Sequence, residues 1–367
     1  MQKHTKANRT SRLLRREITP IVLAAGLIVG GSTIPVTPTE AATPTAHQLQ
    51  AYDTVRLQVN GQTLDMQGLL SAGRTMIPLR ALSEALDFSI SYDSEEQIYT
   101  IGSGVNQLQL TNGSYGPSMT VNNIYLGDYD PINVESRLYV SYRVLSDFLG
   151  LHGAWDNSTK TLNIVQDEQA NAITLATETM NESVNGSEIS IRYPQVEGDS
   201  MPTQRINETI QAQAEKYLQG VTETAEERPD DVRNYEFMHD FIVTYNQNGV
   251  LNVLTQDYNY VGGAHGIQSR TSLVFDLESG KQLSLQDVVG ANTDYLQALE
   301  DVARTGLTEM DMYLGEFAGF DEDPQFYLKR DGIVMYFAPY EYTAYAAGFP
   351  EFYVPFGDLG IQMPFED

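Results

Sequence analysis

The sequence predicts an α+β fold, in which two small repeated β-α-β units precede a mostly antiparallel α+β domain with two main helices. Three observations predict it: an internal repeat, hairpin signals centred on glycine in the C-terminal half, and two amphipathic helical segments among those hairpins. A chain of 367 residues has room for two or three domains, and an apolar content of 41% is enough to build packed cores.

The repeat relates the segment that begins at Arg74 to the one that begins at Arg137, 63 residues later. In each copy a short strand leads into a helix with leucines four residues apart, and two further strands follow around a polar turn. Self-similarity of this kind indicates two copies of one structural unit. The aligned residues include Leu82 and Leu145, Leu86 and Leu149, Tyr92 and Trp155, and Asp93 and Asp156.

The repeat region, residues 54–166, resembles a known family. The residues that carry the resemblance are Val59-Asn60-Gly61, Gly73-Arg74-Thr75-Met76-Ile77-Pro78-Leu79-Arg80 and Trp155-Asp156-Asn157-Ser158-Thr159-Lys160-Thr161. They are similar to the copper amine oxidase N-terminal-like domain, or stalk domain, of Gram-positive surface proteins. The resemblance implies a non-catalytic spacer or attachment module. No copper ligand set accompanies it, since His152 is the one histidine of the region.

Hairpin signals dominate the C-terminal half. Turns at residues 246–249, 278–280 and 330–332 each contain a glycine, which supplies the positive φ that tight hairpins need. One helix is predicted around Ile206 and Ile210, and a second is predicted to begin near a Ser284 cap. The strand pairs expected around the turns are 241–245 with 250–254, 272–277 with 282–285, and 326–328 with 333–337. The helices are expected to carry Ile206, Ile210, Tyr217 and Leu218, and Tyr295, Leu299, Val302 and Leu307.

The predicted C-terminal domain, residues 170–363, resembles a second family, and the resemblance covers about residues 172–363. The motifs are Gly262-Gly263-Ala264-His265-Gly266 with Tyr258 and Tyr260 before it, Leu285-Gln286-Asp287-Val288, Phe326-Tyr327-Leu328, and Pro339-Tyr340-Glu341 followed by Tyr345 and Gly348. They are similar to the extracellular region of the anti-sigma factor RsiV, which senses lysozyme, and to a region beside the catalytic domain of some peptidoglycan deacetylases. The resemblance implies lysozyme binding without catalysis. Ala344 stands where the family usually has a proline.

The N-terminal segment has the pattern of a secretory signal peptide, assigned to residues 1–41. Six basic residues up to Arg16 precede an apolar run at 21–29, and small residues follow, so cleavage is predicted near Ala41 or Ala42. An uncleaved anchor is the alternative. Residues 42–53 have the Thr/Pro/Ala composition of a linker. We expect a secreted or cell-wall-associated protein that is not held in a membrane after cleavage, and the absence of cysteine fits a Gram-positive envelope.

The charge restricts the possible partners. The formal net charge is −27, and the last 198 residues hold 33 acidic and 10 basic residues. Nucleic acid and anionic membranes need a basic surface, so both are excluded as partners. A strongly acidic domain instead attracts cationic proteins. The expected partner is therefore a cationic lysozyme-like protein or peptidoglycan.

Catalytic and metal-binding motifs are absent from the sequence. The five histidines lie far apart, and the chain has no H-E-x-x-H, no G-x-S-x-G and no P-loop lysine. Asp321-Glu322-Asp323 lacks the alternating ligands of a calcium loop, so a solvated turn is favoured. We expect no cofactor, no metal and no enzymatic activity.

The candidate partner-binding residues are two groups in the C-terminal half. His265 closes the Gly-rich loop, where a hydrogen bond to the backbone is the simplest interpretation. Even spacing on a strand would put Tyr340 and Tyr342 on one face. That face either packs in the core with Tyr336 or forms an exposed aromatic patch. Glu341 and Glu351 would surround such a patch. The candidates are His265, Pro339, Tyr340, Glu341, Tyr342 and Tyr345.

The sequence thus favours a secreted, non-catalytic cell-envelope binding protein. The stalk units would serve for attachment or spacing, and the C-terminal module would bind a lysozyme-like muramidase or wall glycan. Two alternatives stay open: a purely structural wall or matrix component, and an unrecognised peptidoglycan hydrolase.

Overall fold

The computed structural model describes residues 52–113, 116–125, 129–166, 170–290, 294–315, 317–320 and 323–360. The predicted signal peptide, the linker up to residue 51, and Asp321 and Glu322 lie outside the described residues. The described part of the chain is α+β, as predicted, with antiparallel pairing in all but two of its strand pairs.

The N-terminal half forms two sheets that enclose one core. The strands are β1 Asp53–Val59, β2 Gln62–Ser71, β3 Arg74–Pro78, β4 Ile90–Asp93, β5 Ile98–Ile101, β6 Leu108–Gly113, β7 Gly116–Val121, β8 Ile124–Tyr125, β9 Ile132–Val134, β10 Arg137–Ser141, β11 Leu151–Asp156 and β12 Thr161–Gln166; the helices are α1 Leu79–Ala85 and α2 Tyr142–Phe148. A seven-stranded sheet has the order β11-β12-β1-β2-β3-β10-β9, and a five-stranded sheet has the order β4-β5-β6-β7-β8.

The predicted repeat is confirmed. The units β3-α1-β4-β5 and β10-α2-β11-β12 follow each other in the same element order, and β3 pairs antiparallel with β10 so that Ile77 lies opposite Val140. The last hairpins of the two units enter different sheets, because β12 pairs with β1 while β5 pairs with β6. Apolar side chains from both units, among them Leu82 and Leu145, fill one shared core.

The C-terminal half begins with a five-stranded sheet in the order β13-β14-β15-β16-β17. Its strands are β13 Leu175–Val184, β14 Ser187–Val196, β15 Glu236–Gln247, β16 Val250–Tyr260 and β17 Ile267–Asp276, and its helix is α3 Met201–Glu226. Ser200 caps α3 by accepting a hydrogen bond from the Thr203 amide. The face of α3 that packs on the sheet follows the helical period and buries Ile206, Ile210, Ala214, Val221 and Ala225.

A second layer follows in chain order: α4 Leu285–Val289, α5 Tyr295–Glu309, β18 Phe326–Lys329, β19 Gly332–Tyr336 and β20 Glu351–Pro355. The helix predicted to run from Ser284 is in fact two. Ser284 caps the short α4 with a capping box that includes Asp287, and Gly290, at a φ of 64°, ends it. The main helix α5 starts after Asp294 and buries Tyr295, Leu299, Ala303 and Leu307.

Two of the three predicted hairpins form as expected, between β15 and β16 and between β18 and β19. The strand predicted at 282–285 is wrong. Gln282 forms an isolated bridge to Phe275 and not a strand, because Ser284 is already the N-cap of α4.

Asparagine side chains of the N-terminal half bond to the edge of β15 that β14 leaves unpaired. Strand β14 pairs with β15 only up to His239, so the next backbone groups on that edge need other partners. The Asn106 side chain accepts from the Val243 amide at 2.9 Å and donates to the Val243 carbonyl at 2.7 Å, and Asn122 donates to the Phe241 carbonyl at 2.9 Å. The two halves are therefore joined by strand-like hydrogen bonds.

Buried charges reinforce this junction. Lys329 of β18 lies 3.5 Å from the Asp147 carboxylate of α2, and both Lys329 and Asp147 hydrogen-bond the Tyr129 hydroxyl. Burial, followed by the negative charge of Asp147, raises the pKa of Tyr129 well above its ordinary value, which keeps the hydroxyl neutral. Ile242 of β15 also packs into the core of the N-terminal half.

Candidate functional site

Two loops of the C-terminal half meet to form an exposed stack of aromatic rings. The His265 ring lies on the Tyr345 ring with centroids 4.0 Å apart and planes 19° apart, and Tyr340 lies 5.3 Å from Tyr345 at 33°. His265 follows β16, whereas Tyr345 opens a short 3-10 helix, Tyr345–Ala347. We call His265, Tyr340 and Tyr345 the aromatic stack.

The Gly266 carbonyl links two members of the stack, His265 and Tyr345. It accepts a hydrogen bond from the Tyr345 hydroxyl at 2.6 Å and lies 2.8 Å from Nδ1 of His265. Gly266 is buried, and a Cβ at this position would lie 2.4 Å from the Tyr258 ring. Glycine is needed here because the backbone must pass this close to Tyr258 while it positions the two rings. The predicted hydrogen bond between His265 and the backbone is thus present.

Tyr340 has an unusual backbone conformation at an exposed position. Its φ is 72°, a value that residues other than glycine rarely adopt, and 58% of its surface is exposed. The turn is closed by two hydrogen bonds between Glu341 and Ala338, from the Glu341 amide at 3.1 Å and to the Glu341 carboxylate at 2.8 Å. Strained residues of this kind cluster at binding sites. The turn places the exposed Tyr340 side chain beside the Tyr345 ring.

The other candidates do not share this surface. Residues 339–344 form no strand, so the prediction that Tyr340 and Tyr342 lie on one strand face is wrong. Tyr342 packs inward, with its ring 4.9 Å from that of Phe337. Tyr336 is 2% exposed and belongs to the core. Pro339 precedes Tyr340 in the turn and is half-buried.

Glu351 is not part of an acidic ring around the aromatic stack. Its carboxylate forms an ion pair with Arg270 and accepts a hydrogen bond from the Tyr327 hydroxyl at 2.9 Å. Arg270 in turn lies over the Phe349 ring, 4.0 Å from its centroid. Glu341 directly follows Tyr340 in the turn and is exposed.

Sequence reasoning missed two exposed apolar residues beside the Gly-rich loop. Val261 is 44% exposed and Ile267 is 59% exposed, one on each side of the loop in sequence. The alternating pattern of the strand could have identified Ile267. It begins β17, whose first six residues are alternately exposed and half-buried, and it lies on the exposed face.

The Tyr345 hydroxyl of the stack stays neutral at neutral pH, because its pKa is raised above the ordinary value of 10.0. Burial raises the pKa of Tyr345, and the neighbouring Tyr340 raises it further. Burial also raises the pKa of Tyr258, with the negative charge of Glu236 as the second cause. Neutral ring faces carry a negative quadrupole potential, so they attract cationic groups and flat apolar groups.

A second polar cluster lies in the main sheet. His239, which is 1% exposed, contacts the Asp257 carboxylate through Nδ1 at 2.6 Å, and the Ser269 hydroxyl donates to the same carboxylate at 3.2 Å. The carboxylate therefore lies between the serine and the histidine. A nucleophilic serine needs its hydrogen bond to the histidine, so this cluster does not have the arrangement of an acyl-transfer site.

Within the described residues, no group of three or more His, Asp or Glu side chains could hold a metal ion. No helix in that part of the chain combines the length and the hydrophobicity that crossing a membrane requires.

Comparison with known families accounts for most of the chain. Residues 58–196 match the model of the copper amine oxidase N-terminal domain, and residues 286–357 match that of DUF3298, a protein family of unknown function. Both resemblances inferred from the sequence are confirmed. DUF3298 is the RsiV-like domain, and its match contains Tyr340 and Tyr345. A stalk-like domain together with a DUF3298 domain indicates a cell-envelope-associated protein.

A third model, described as deacetylase PdaC, matches residues 180–268 and so includes His265. None of the curated proteins compared with the chain matches it. The chain is similar to a solved DUF3298 structure from Bacteroides fragilis, with 19% identity, a TM-score of 0.40, and coverage of 54% of this chain and 97% of that one. The chain is also similar to a solved DUF3298 structure from Pseudomonas aeruginosa, with 16% identity and a TM-score of 0.41. This match covers 54% of this chain and 99% of that one.

Proposed function

We propose that the protein is a non-catalytic binding protein of the cell envelope, whose C-terminal module receives a cationic lysozyme-like protein on the aromatic stack. The observation that carries the proposal is the stack of His265 and Tyr345, both hydrogen-bonded to the Gly266 carbonyl, with the exposed Tyr340 ring packed on Tyr345. Tyrosine anchors that are already in place bind with little loss of side-chain entropy.

Charge supports a basic partner. The stack lies in a region where acidic residues outnumber basic ones 33 to 10, and Glu341 is exposed beside Tyr340. Acidic surroundings accelerate the encounter with a basic protein, and lysine or arginine side chains bind favourably over tyrosine faces. Long-range attraction of this kind weakens as salt rises.

The test is isothermal titration calorimetry of the purified protein with lysozyme at low and moderate ionic strength. Tyr340→Ala should weaken binding at least about tenfold, as loss of an interface anchor does. Tyr92→Ala is the matched control, because Tyr92 is exposed to a similar extent, 52% against 58%, but lies in β4 of the stalk region. Absence of heat at both salt concentrations with folded protein would overturn the proposal, as would an equal loss in both variants.

A specific observation supports wall glycan as a second ligand, bound by the stalk units. The repeat places an aromatic residue at the same position in each unit, Tyr92 and Trp155, and these are 52% and 42% exposed. Tyr92 also lies 4.4 Å from Tyr99, which makes a two-ring platform. Exposed aromatic faces suit the apolar face of a sugar ring.

Sedimentation with purified peptidoglycan tests this second function. We expect the double variant Tyr92→Ala/Trp155→Ala to remain in the supernatant, while Tyr340→Ala sediments with the wall as the unaltered protein does. The reverse pattern, or sedimentation of all three proteins alike, would contradict attachment through the stalk aromatics.

A further inference from the structure

A cleft of about 720 Å³ lies where the two halves of the chain meet. Its walls are the C-terminal ends of α1 and α2, the connection from β5 to β6, and the later part of β15. Clefts that bind small ligands measure about 300–1,000 Å³ and occur preferentially between domains. The aromatic stack is not part of these walls, so the cleft is a separate candidate site.

The internal repeat provides a built-in comparison at this cleft. Asp87 and Gly150 occupy equivalent positions, each directly after the C-cap of its helix, and both line the cleft. Both have a left-handed backbone, with φ values of 55° and 65°. Glycine is the usual residue at this position, because residues that carry a Cβ are strained there. The second unit follows the rule, and the first unit carries an exposed carboxylate instead.

The other charged side chains that line the cleft have counter-ions. Asp147 is 3.5 Å from Lys329, and Nε of Arg330 is 3.9 Å from the Asp331 carboxylate. Among the described residues of the cleft, Asp87 is the charged residue without an opposite charge beside it. A ligand with a positive charge would therefore find its partner at Asp87.

The remaining wall mixes apolar surface with hydroxyl groups. Phe88, Val105 and Leu149 contribute apolar side chains, and Ser89 and Ser103 are exposed. A sugar ring has this same mixture, with an apolar C–H face and a rim of hydroxyls. We propose that the cleft binds an amine-bearing sugar, with the protonated amine against the Asp87 carboxylate and the ring against the apolar wall.

The experiment compares two tetrasaccharides by isothermal titration calorimetry. One is the β-1,4 tetramer of glucosamine, at a pH that keeps its amines protonated, and the other is its N-acetylated counterpart, which has the same rings without the charge. The unaltered protein should bind the glucosamine tetramer at least about tenfold more tightly, the gain expected for one charge-assisted hydrogen bond.

Two variants remove the charge of Asp87 while they keep the backbone conformation at this position. Asp87→Asn keeps the shape and tolerates the left-handed backbone, and Asp87→Gly restores the residue type of the second unit. Both should lose the preference for the amine. Asp65→Asn is the matched control, since Asp65 is an exposed carboxylate of the same region that does not line the cleft. It should keep the preference.

Equal affinity for the two tetramers, no binding of either, or a preference that survives in Asp87→Asn would each overturn the proposal. Loss of the preference in Asp65→Asn would overturn it too, by showing a general charge effect. The proposal does not depend on lysozyme binding: Asp87→Asn should bind lysozyme normally, and Tyr340→Ala should bind the glucosamine tetramer normally.

Discussion

The Tyr345 hydroxyl donates a hydrogen bond of 2.6 Å to the Gly266 carbonyl, 79 residues away in sequence. This bond joins the Gly-rich loop after β16 to the loop that carries Tyr340, and it fixes the ring on which His265 stacks. The candidate partner surface therefore depends on a single backbone carbonyl and on the narrow space around it.

Gly266→Ala is expected to disrupt this surface. The new methyl group would lie 2.4 Å from the Tyr258 ring, so the loop must shift, at a cost of about 1–3 kcal/mol in the free energy of unfolding. Urea denaturation measures that cost, and calorimetry with lysozyme measures the expected loss of binding. Gly357→Ala serves as the control, because a Cβ there meets nothing within 4 Å. Unchanged lysozyme binding in Gly266→Ala would show that the carbonyl does not hold the binding surface.

Asn106→Ala is expected to weaken the junction between the two halves. It leaves the amide and carbonyl of Val243 without their partners, and a buried polar group without a partner costs about 1–3 kcal/mol. The measurement is the free energy of unfolding in urea. Asn112→Ala, an exposed change in β6, should leave it almost unchanged. Equal stability of the two variants would contradict a structural role for the Asn106 side chain.

The Asp156 carboxylate is expected to titrate at an unusually low pH. Hydrogen bonds from Ser158, and then from Thr159, lower its pKa to about 2. Because the folded-state pKa is below the unfolded one, the stabilisation is present above the ordinary pKa of 3.8 and disappears as the pH falls through 2. NMR titration of the carboxyl carbon measures this pKa directly. Ser158→Ala should raise it toward 3.8, and a titration that is the same in both proteins would contradict the assigned cause.

The backbone at positions 87 and 150 predicts two opposite changes in stability. Asp87→Gly removes the strain of a left-handed aspartate and should stabilise the protein by roughly 1 kcal/mol, while Gly150→Asp should destabilise it by a similar amount. Thermal unfolding of the two variants shows whether each one is more or less stable than the unaltered protein. A loss of stability in Asp87→Gly would mean that the carboxylate stabilises the fold rather than being retained despite strain.

Local patterns were enough to predict much of the architecture. The repeat, the Asn248-Gly249 and Asp331-Gly332 turns, and the amphipathic face of α3 follow from spacing and from residues that set their own backbone conformation. The break between α4 and α5 was missed because the apolar spacing continues across Gly290, whose positive φ interrupts the helix.

The candidate site was only partly predictable. The sequence predicts His265, Tyr340 and Tyr345 as partner-binding candidates, and the structure brings these three rings together. The sequence also places Tyr340 and Tyr342 on one face of a strand, and that strand does not form. Tyr342 was placed on the same face and instead packs against Phe337. Side-chain direction in an irregular loop depends on contacts with distant segments, and sequence periodicity carries no information about those contacts.

The sequence by itself determined the paired units, the hairpins and the acidity of the C-terminal half, because each depends on composition or on residues close in the chain. Only the tertiary structure decided that Tyr345 meets Gly266, that Asn106 completes the edge of β15, and that Asp87 faces a cleft between the halves. These are contacts between residues far apart in sequence. Their formation depends on the packing of whole sheets, which no local pattern encodes.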